Sequence, residues 1–441
     1  MCDNWYSNRE IENFHKRRNL NNKETELSRI NFAKRCCADD ANLCEIISVA
    51  PEKESKSQEF ITQLLTDNRF DVRCREQLEK TSATGTVGAY IYLRDAEYVK
   101  GKNDVVTVRG GEIRINYCDA DCIIPLTVDN KLVSECAFCG TNMVRGKEKT
   151  TLVIFTRENG KYKADTVVFD AQGKELKEES SSIQLGEVKP FAIMMNAEVN
   201  NLDNMDGYGL PKVYNSIPFF KAVDLCYNIL YGDLDKGEKL VFLNELLAEI
   251  KTKKDGTPAL TPQQKDLFIL LGEKLPQQDT LIKEYNPEIR VEQITKAFEL
   301  VLSLLSMQFG YGSKKYTFDK SGQMKTATEC IIDNQQAMQE LNKQRKQATD
   351  YITDIVHAAM WFSNTFSGTG YNVNESLSIE FDDSVITDKQ SQLEAMRADA
   401  LSFPEIPELL VWYISEKYNL PIEEARKLIK KEEEPIEDLD D

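Results

Sequence analysis

Residues 291–310, VEQITKAFELVLSLLSMQFG, residues 311–325, YGSKKYTFDKSGQMK, and the run from Thr326 to Phe366 decide how this chain is built. In the first arm Val291, Ile294, Phe298, Val301, Leu305 and Phe309 recur every three or four residues, the apolar stripe of an amphipathic helix. The middle stretch sets Lys314, Lys315, Lys320 and Lys325 against a single acidic residue, Asp319. The last stretch holds neither proline nor glycine, so a helix of roughly 40 residues, ~60 Å long, is expected there. Such a helix outruns a small domain and must lean on neighbours, and no other part of the sequence obviously supplies them.

The 441 residues allow two or three domains with sizeable cores. No apolar run approaches the ~18–20 residues that span a bilayer. The N-terminus, MCDNWYSNREIENFHKRRN, lacks the apolar centre of a secretion signal. Eleven cysteines, an odd number that includes adjacent Cys36 and Cys37, suit a reducing compartment better than a disulfide framework. The formal charge of −18 argues against a dedicated DNA-gripping protein, because phosphate affinity comes mainly from Lys and Arg. It leaves open a protein past which DNA slides. The only histidines are His15 and His357, so chemistry that needs a histidine pair has little to draw on.

Residues 1–84 have a mainly helical pattern. Leu27, Ile30, Ala33, Cys37, Cys44 and Ile47 form an interrupted apolar set that Pro51 ends, and two further helices are expected up to Asn68 and up to Gly85. From Gly85 to Glu198 the period changes to two. VGAYIYL (87–93), VVTV (105–108), EIRINY (112–117), CIIPLTV (122–128), LVSECAF (132–138), TTLVIFTR (150–157), KYKADTVVF (161–169) and SSIQL (181–185) are strand candidates. Turn signals such as Asn159-Gly160 separate them, so an antiparallel sheet within an α+β protein is expected. A polar linker, VNNLDNMDGYGL (199–210), then leads through Pro211 into a helix with Val213, Ile217, Phe220, Val223 and Ile229 on its apolar side, ending at Gly232. Residues 238–290 form a small insertion: a strand at KLVFL (239–243), a turn at Lys253-Lys254-Asp255-Gly256, a helix from Thr261 to Gly272 and a strand at TLIKEY (280–285). It has too little core to stand alone and needs other copies or a partner. After the long helix come a strand at LSIEFDD (377–383), three short helices and the acidic tail EEEPIEDLDD (432–441).

Cys118-x3-Cys122 followed by Cys136-x2-Cys139 is the only metal-like spacing. Four thiolates suit tetrahedral zinc, whereas the strand-like setting suits buried or sheet-face thiols, and both readings stay open. Phosphate-binding glycine loops, a nucleophile elbow and an HExxH pair are all absent, which leaves an ATPase, a nuclease of familiar type and a zinc protease poorly supported. The lysines of 311–325 fit either a solvated loop or a point-charge contact to a polyanion that passes several copies of the chain.

The order of these parts resembles the portal proteins of tailed bacteriophages, most closely those of siphophages and myophages of Gram-positive hosts, over nearly the whole chain. The residues that carry the resemblance are Asn201, Asp206, Gly207, Tyr208, Gly209 and Leu210, then Lys325-Thr326-Ala327-Thr328-Glu329, then SIEFDDSVITDKQSQLEAMRADA (378–400). The resemblance implies a ring, normally of twelve subunits, at one capsid vertex of the virion. By the same resemblance residues 1–210 are the wing, 211–237 and 291–310 the paired stem helices and 238–290 the clip. Residues 311–325 are then the tunnel loop, 326–370 the long helix and 371–441 a helical crown. Double-stranded DNA would pass through the ring during packaging and ejection, against Lys314, Lys315, Lys320 and Lys325. The terminase large subunit and then a head-tail adaptor would dock on the clip, at Lys253, Lys254, Asp255 and Gly256. Major capsid and scaffolding proteins would meet the wing. No cofactor, catalytic residue or membrane enters, and assembly takes place in the host cytoplasm. The cysteines and the lack of a kink residue in the long helix depart from the family pattern. Two other functions are weighed beside it: an intracellular protein with a four-cysteine zinc site, and a self-associating helical scaffold without DNA.

Overall fold

In the computed structural model the described residues are 1–11, 13–18, 24–100, 106–237, 240–244, 268–271, 282–286, 288–313, 315–316, 318, 327–382, 389–403, 406–418, 420, 422 and 425–427. The chain opens with α1 (Cys2–Tyr6), the hairpin of β1 (Lys16–Arg18) and β2 (Glu24–Glu26), α2 (Phe32–Leu43), β3 (Ile46–Pro51), α3 (Ser57–Asp67) and α4 (Phe70–Thr84). A run of strands follows: β4 (Thr86–Arg94), β5 (Glu97–Lys100), β6 (Val106–Arg109), β7 (Glu112–Asp119), β8 (Ile123–Asp129), β9 (Leu132–Val144), β10 (Lys147–Glu158), β11 (Lys161–Asp170), β12 (Ser181–Gln184) and β13 (Phe191–Met195). Then come α5 (Lys212–Lys236), β14 (Leu240–Asn244), β15 (Phe268–Leu271), β16 (Ile282–Tyr285), α6 (Val291–Gln308), α7 (Ala327–Ser367), β17 (Leu377–Phe381), α8 (Lys389–Ser402) and α9 (Pro407–Tyr418). The protein is mixed α and β, as the change of period at Gly85 requires.

Strands β8 to β12 make an antiparallel meander in the order β12-β11-β10-β9-β8. Its β10–β11 hairpin turns on Asn159 (φ 50°) and Gly160 (φ 81°), both left-handed as a tight two-residue hairpin of matching twist demands. A second sheet, β13-β4-β7, is antiparallel throughout. Strand β13, FAIMM, is apolar without alternation because it pairs with β4 and also packs under α7, so the period-two pattern missed it.

The long helix does find neighbours within its own chain. From Leu341 onward α7 buries Ala348, Tyr351, Ile352, Ile355, Val356, Ala359 and Phe362 in a core shared with β4, β13 and the α3–α4 pair. A second core joins Trp5, Ala33, Cys36 and Cys37 of the N-terminal helices to Val213, Ile217, Phe220 and Val223 of α5 and to Phe298, Leu302, Leu305 and Phe309 on and just beyond α6. Helix α5 runs unbroken through Pro218 and past Gly232 to Lys236.

Other expectations change at the residue level. The interrupted helical pattern of 27–47 is a helix over Phe32–Leu43 alone, entered through left-handed Asn31 (φ 51°). Ile46–Pro51 is a strand, paired antiparallel with β17. The β-branched pair Ile46-Ile47 favours an extended chain, and the partner that completes the ladder lies far along the sequence. Hence the strand expected in the C-terminal unit, Leu377–Phe381, is hydrogen-bonded to the N-terminal unit. In the insertion, Phe268–Leu271 forms a strand parallel to β14, where a helix ending at Gly272 was expected. A four-residue apolar run carries no period long enough to separate the two. The remainder of that expected helix, and the turn Lys253-Lys254-Asp255-Gly256, lie outside the described residues.

Candidate functional site

The glycine motif ahead of α5 is a clasp between that helix and both large sheets. The Gly209 amide donates to Thr86 Oγ1 (2.8 Å), and the Tyr208 hydroxyl donates to the Ile123 carbonyl (2.8 Å). Asn196 closes the other side: its amide donates to the Gly85 carbonyl (2.8 Å) and its Nδ2 to the Leu210 carbonyl (2.6 Å). A methyl group on Gly209 would stand 2.8 Å from the Asn196 nitrogen and closer still to the Gly85 carbonyl. Only glycine lets the two backbones meet here. Asp206 and Gly207 sit on the polar turn outside this contact, with Gly207 (φ 85°) against Val128 and Pro125.

At the first residue of α5 stands a buried polar site. Asp40 of α2 is buried and accepts hydrogen bonds from Lys212 Nζ (2.7 Å), from the Tyr311 hydroxyl (2.8 Å) and from Ser82 Oγ. Burial alone would raise its carboxyl. The Lys212 charge and the three donated bonds outweigh burial and hold it below the ordinary carboxylate value. Lys212 shows the converse: burial would lower it, and Asp40 raises it. Elements α2, α4, α5 and the residues just after α6 thus converge on one carboxylate. No sequence pattern announces this, because its members at 40, 82, 212 and 311 belong to four separate segments.

Of the four lysines of 311–325, Lys315 is described, while Lys314, Lys320 and Lys325 lie outside the described residues. The Lys315 ammonium lies 3.9 Å from the centre of the Tyr311 ring, and its amide donates to Ser306 Oγ (3.2 Å). Burial pushes this lysine below the ordinary value against the pull of Asp39 and Asp40. Tyr316 packs edge-on against Phe32 (5.2 Å) and Phe318 edge-on against Phe298 (5.4 Å). This described part of the loop lies against α2 and α6.

The cysteines of the proposed four-thiol set are all free. Cys118 is on β7, Cys122 ends the short turn after it, and Cys136 and Cys139 are on β9. The last two are three residues apart on one strand and so point to opposite faces. Burial raises Cys136 to about 12 and Cys122 to about 11. Among the described residues no group of three or more His, Cys, Asp and Glu side chains could hold a metal ion. A buried pair with the outward form of a catalytic dyad, His15 Nε2 to Asp224 Oδ2 (3.1 Å), is structural. His15 Nδ1 accepts from the Ile11 amide (3.0 Å) and Asp224 Oδ1 accepts from the Ile30 amide (3.1 Å), which pins the N-terminal arm to α5.

Several large apolar side chains of α5 and α6 are left uncovered. On α6, opposite the buried Ile294, Phe298, Leu302 and Leu305, the side chains of Leu300, Leu304 and Met307 are 62%, 41% and 59% exposed, at helical spacing. Tyr231 and Leu234 are exposed on α5. Among the described residues no helix is long and apolar enough to cross a membrane. A family model described as phage portal protein, SPP1 Gp6-like, matches residues 1–434. No curated protein matches the chain.

Proposed function

The chain belongs to the phage portal proteins of the SPP1 Gp6-like family, and on that premise we propose that it forms the ring through which double-stranded DNA enters and leaves the capsid. The family is structural, and its members are components of the phage particle at a capsid vertex. The observation that carries the ring reading for this chain is the exposed stripe Leu300, Leu304 and Met307, backed by a fully packed inner stripe on the same helix. A helix apolar on two sides needs a second neighbour, and a closed ring gives every subunit one on each side.

In this reading 211–237 and 291–310 are the stem and 1–210, with the long helix 326–370, the wing. The insertion 238–290 is the clip that meets the terminase large subunit and then the head-tail adaptor, and 371–441 is the crown. Each chain carries −18, so the ring is strongly acidic and repels DNA over most of its wall. Lys314, Lys320 and Lys325 are the loop cations proposed to meet phosphates. Capsid and scaffolding proteins contact the wing during assembly in the host cytoplasm. Electron-microscope images of the purified chain test this: a ring, of about twelve subunits, with a channel that admits a duplex is expected. A compact dimer or a filament overturns it.

A further inference from the structure

Lys315, the loop lysine among the described residues, is partly buried over the Tyr311 ring, and the geometry around it is that of a latch. Helix α6 ends in two reversing bonds, Tyr311 N–H to the Ser306 carbonyl (3.0 Å) and Gly310 N–H to the Met307 carbonyl (3.0 Å), with Gly310 left-handed at φ 79°. That reversal stacks the Tyr311 ring on Phe309 (6.2 Å) and delivers its hydroxyl to Asp40. The chain then returns over the same ring. Lys315 sits over the Tyr311 ring, within the field of Asp39 and Asp40, and its amide is tied to Ser306, the residue whose carbonyl already holds Tyr311.

We propose that Tyr311 and Lys315 latch the start of the tunnel loop to α2 through buried Asp40, so that Lys315 positions the loop and is not one of the cations offered to DNA. Asp40 is also the acceptor for Lys212 at the start of the first stem helix and for Ser82 of α4. The loop start, the beginning of α5 and the helices α2 and α4 therefore share one carboxylate. The aromatic contacts of Tyr316 with Phe32 and Phe318 with Phe298 extend the same seam.

This deepens the portal reading, yet it concerns the subunit alone and its test needs no DNA, so either can fail without the other. Hydrogen exchange and lysine acylation are followed on the purified full chain, as wild type, Tyr311→Phe and Lys315→Met. Tyr311→Phe keeps the ring stack and removes only the hydroxyl given to Asp40. Amide exchange at 311–316 is expected to rise roughly tenfold in both variants, the effect of losing one charge-assisted contact, with α2, α4 and α5 unchanged. In the wild type Lys315 is acylated more slowly than exposed Lys343, and Tyr311→Phe removes much of that difference. The latch is overturned if exchange at 311–316 does not respond, or if it rises equally throughout α2, α4 and α5, which would make Asp40 a core residue and nothing more. It is equally overturned if wild-type Lys315 is acylated as fast as Lys343.

Discussion

Lys212 Nζ and Asp40 Oδ1 lie 2.7 Å apart with both side chains buried, 172 positions apart in sequence. Each charge is tolerable only because the other is there. Lys212→Met or Asp40→Asn alone leaves an unmatched buried charge and is expected to cost about 3–5 kcal/mol, whereas the double variant loses less. Chemical denaturation of the four proteins measures this. Equal losses for the double variant and the summed singles would show that the pair is not coupled.

The same pair sets a pH window. The Asp40 carboxyl is held below its free value of 3.8, so its stabilisation is present above that pH and disappears as pH falls through the folded value. Lys212 is raised above 10.5, so its part is present below that pH and disappears as pH rises through the folded value. The stability difference between wild type and the Asp40→Asn/Lys212→Met double variant should stay level between about pH 5 and 9 and shrink on both sides. A difference that does not change below pH 4 would contradict the assignment.

Gly209 and Gly85 touch backbone to backbone, and Gly85 is left-handed at φ 86°. Gly209→Ala must push the linker away from β4 and β13 and is expected to destabilise by roughly 3 kcal/mol. Gly140→Ala is the control: no atom lies within 4 Å of the position its methyl would take, so it should change stability by less than about 0.5 kcal/mol. Thermal unfolding compares them, and similar midpoints for both would remove the clasp.

Much of this was legible in the residues. The helix stripes of α5 and α6, the run without proline or glycine that becomes α7, and the meander with its Asn159-Gly160 turn all stand in local sequence, whereas the motif 206–210 stands out only through the family resemblance. What was not legible depends on distant partners. Strand β3 is completed by β17, and Ser48 of the one bonds Glu380 of the other across 332 positions. The support of α7 comes from β4 and β13, themselves far upstream. The β8–β9 turn uses left-handed Asn130 and Lys131, with φ of 49° and 66°, and no glycine marks it. Lys315 reads in sequence as a solvated loop charge or a phosphate contact, because Tyr311, whose ring it covers, gives no sequence signal and Asp39 and Asp40, whose charge it feels, are on another helix.

The four cysteines of β7 to β9 can be tested without activity. Burial holds Cys118 and Cys136 above the ordinary thiol range, and both are buried, whereas Cys122 and Cys139 are partly exposed. At pH 8 a thiol reagent should label Cys139 first and Cys118 and Cys136 slowest in the native chain. The purified protein should carry no stoichiometric zinc. One zinc per chain, with protection of all four, would restore the metal-site reading.

The exposed side of α6 decides whether the subunit is complete alone. Leu300, Leu304 and Met307 follow one another at four and three residues, so they form a single line down the helix, away from the packed stripe. Charged replacements at Leu300 and Met307, more than half exposed in the isolated subunit, keep their charge in solvent there and should alter its stability by no more than about 0.5 kcal/mol. Across a subunit boundary the same charges would be desolvated without partners, at a cost of several kcal/mol for each contact. Repeated around a closed ring, that cost is charged at every interface. Leu300→Glu/Met307→Glu is therefore expected to give a folded chain with unchanged circular dichroism that sediments as a monomer where the wild type forms a large ring. A variant that still assembles would place this line of side chains against some other partner and move the subunit boundary elsewhere on the chain.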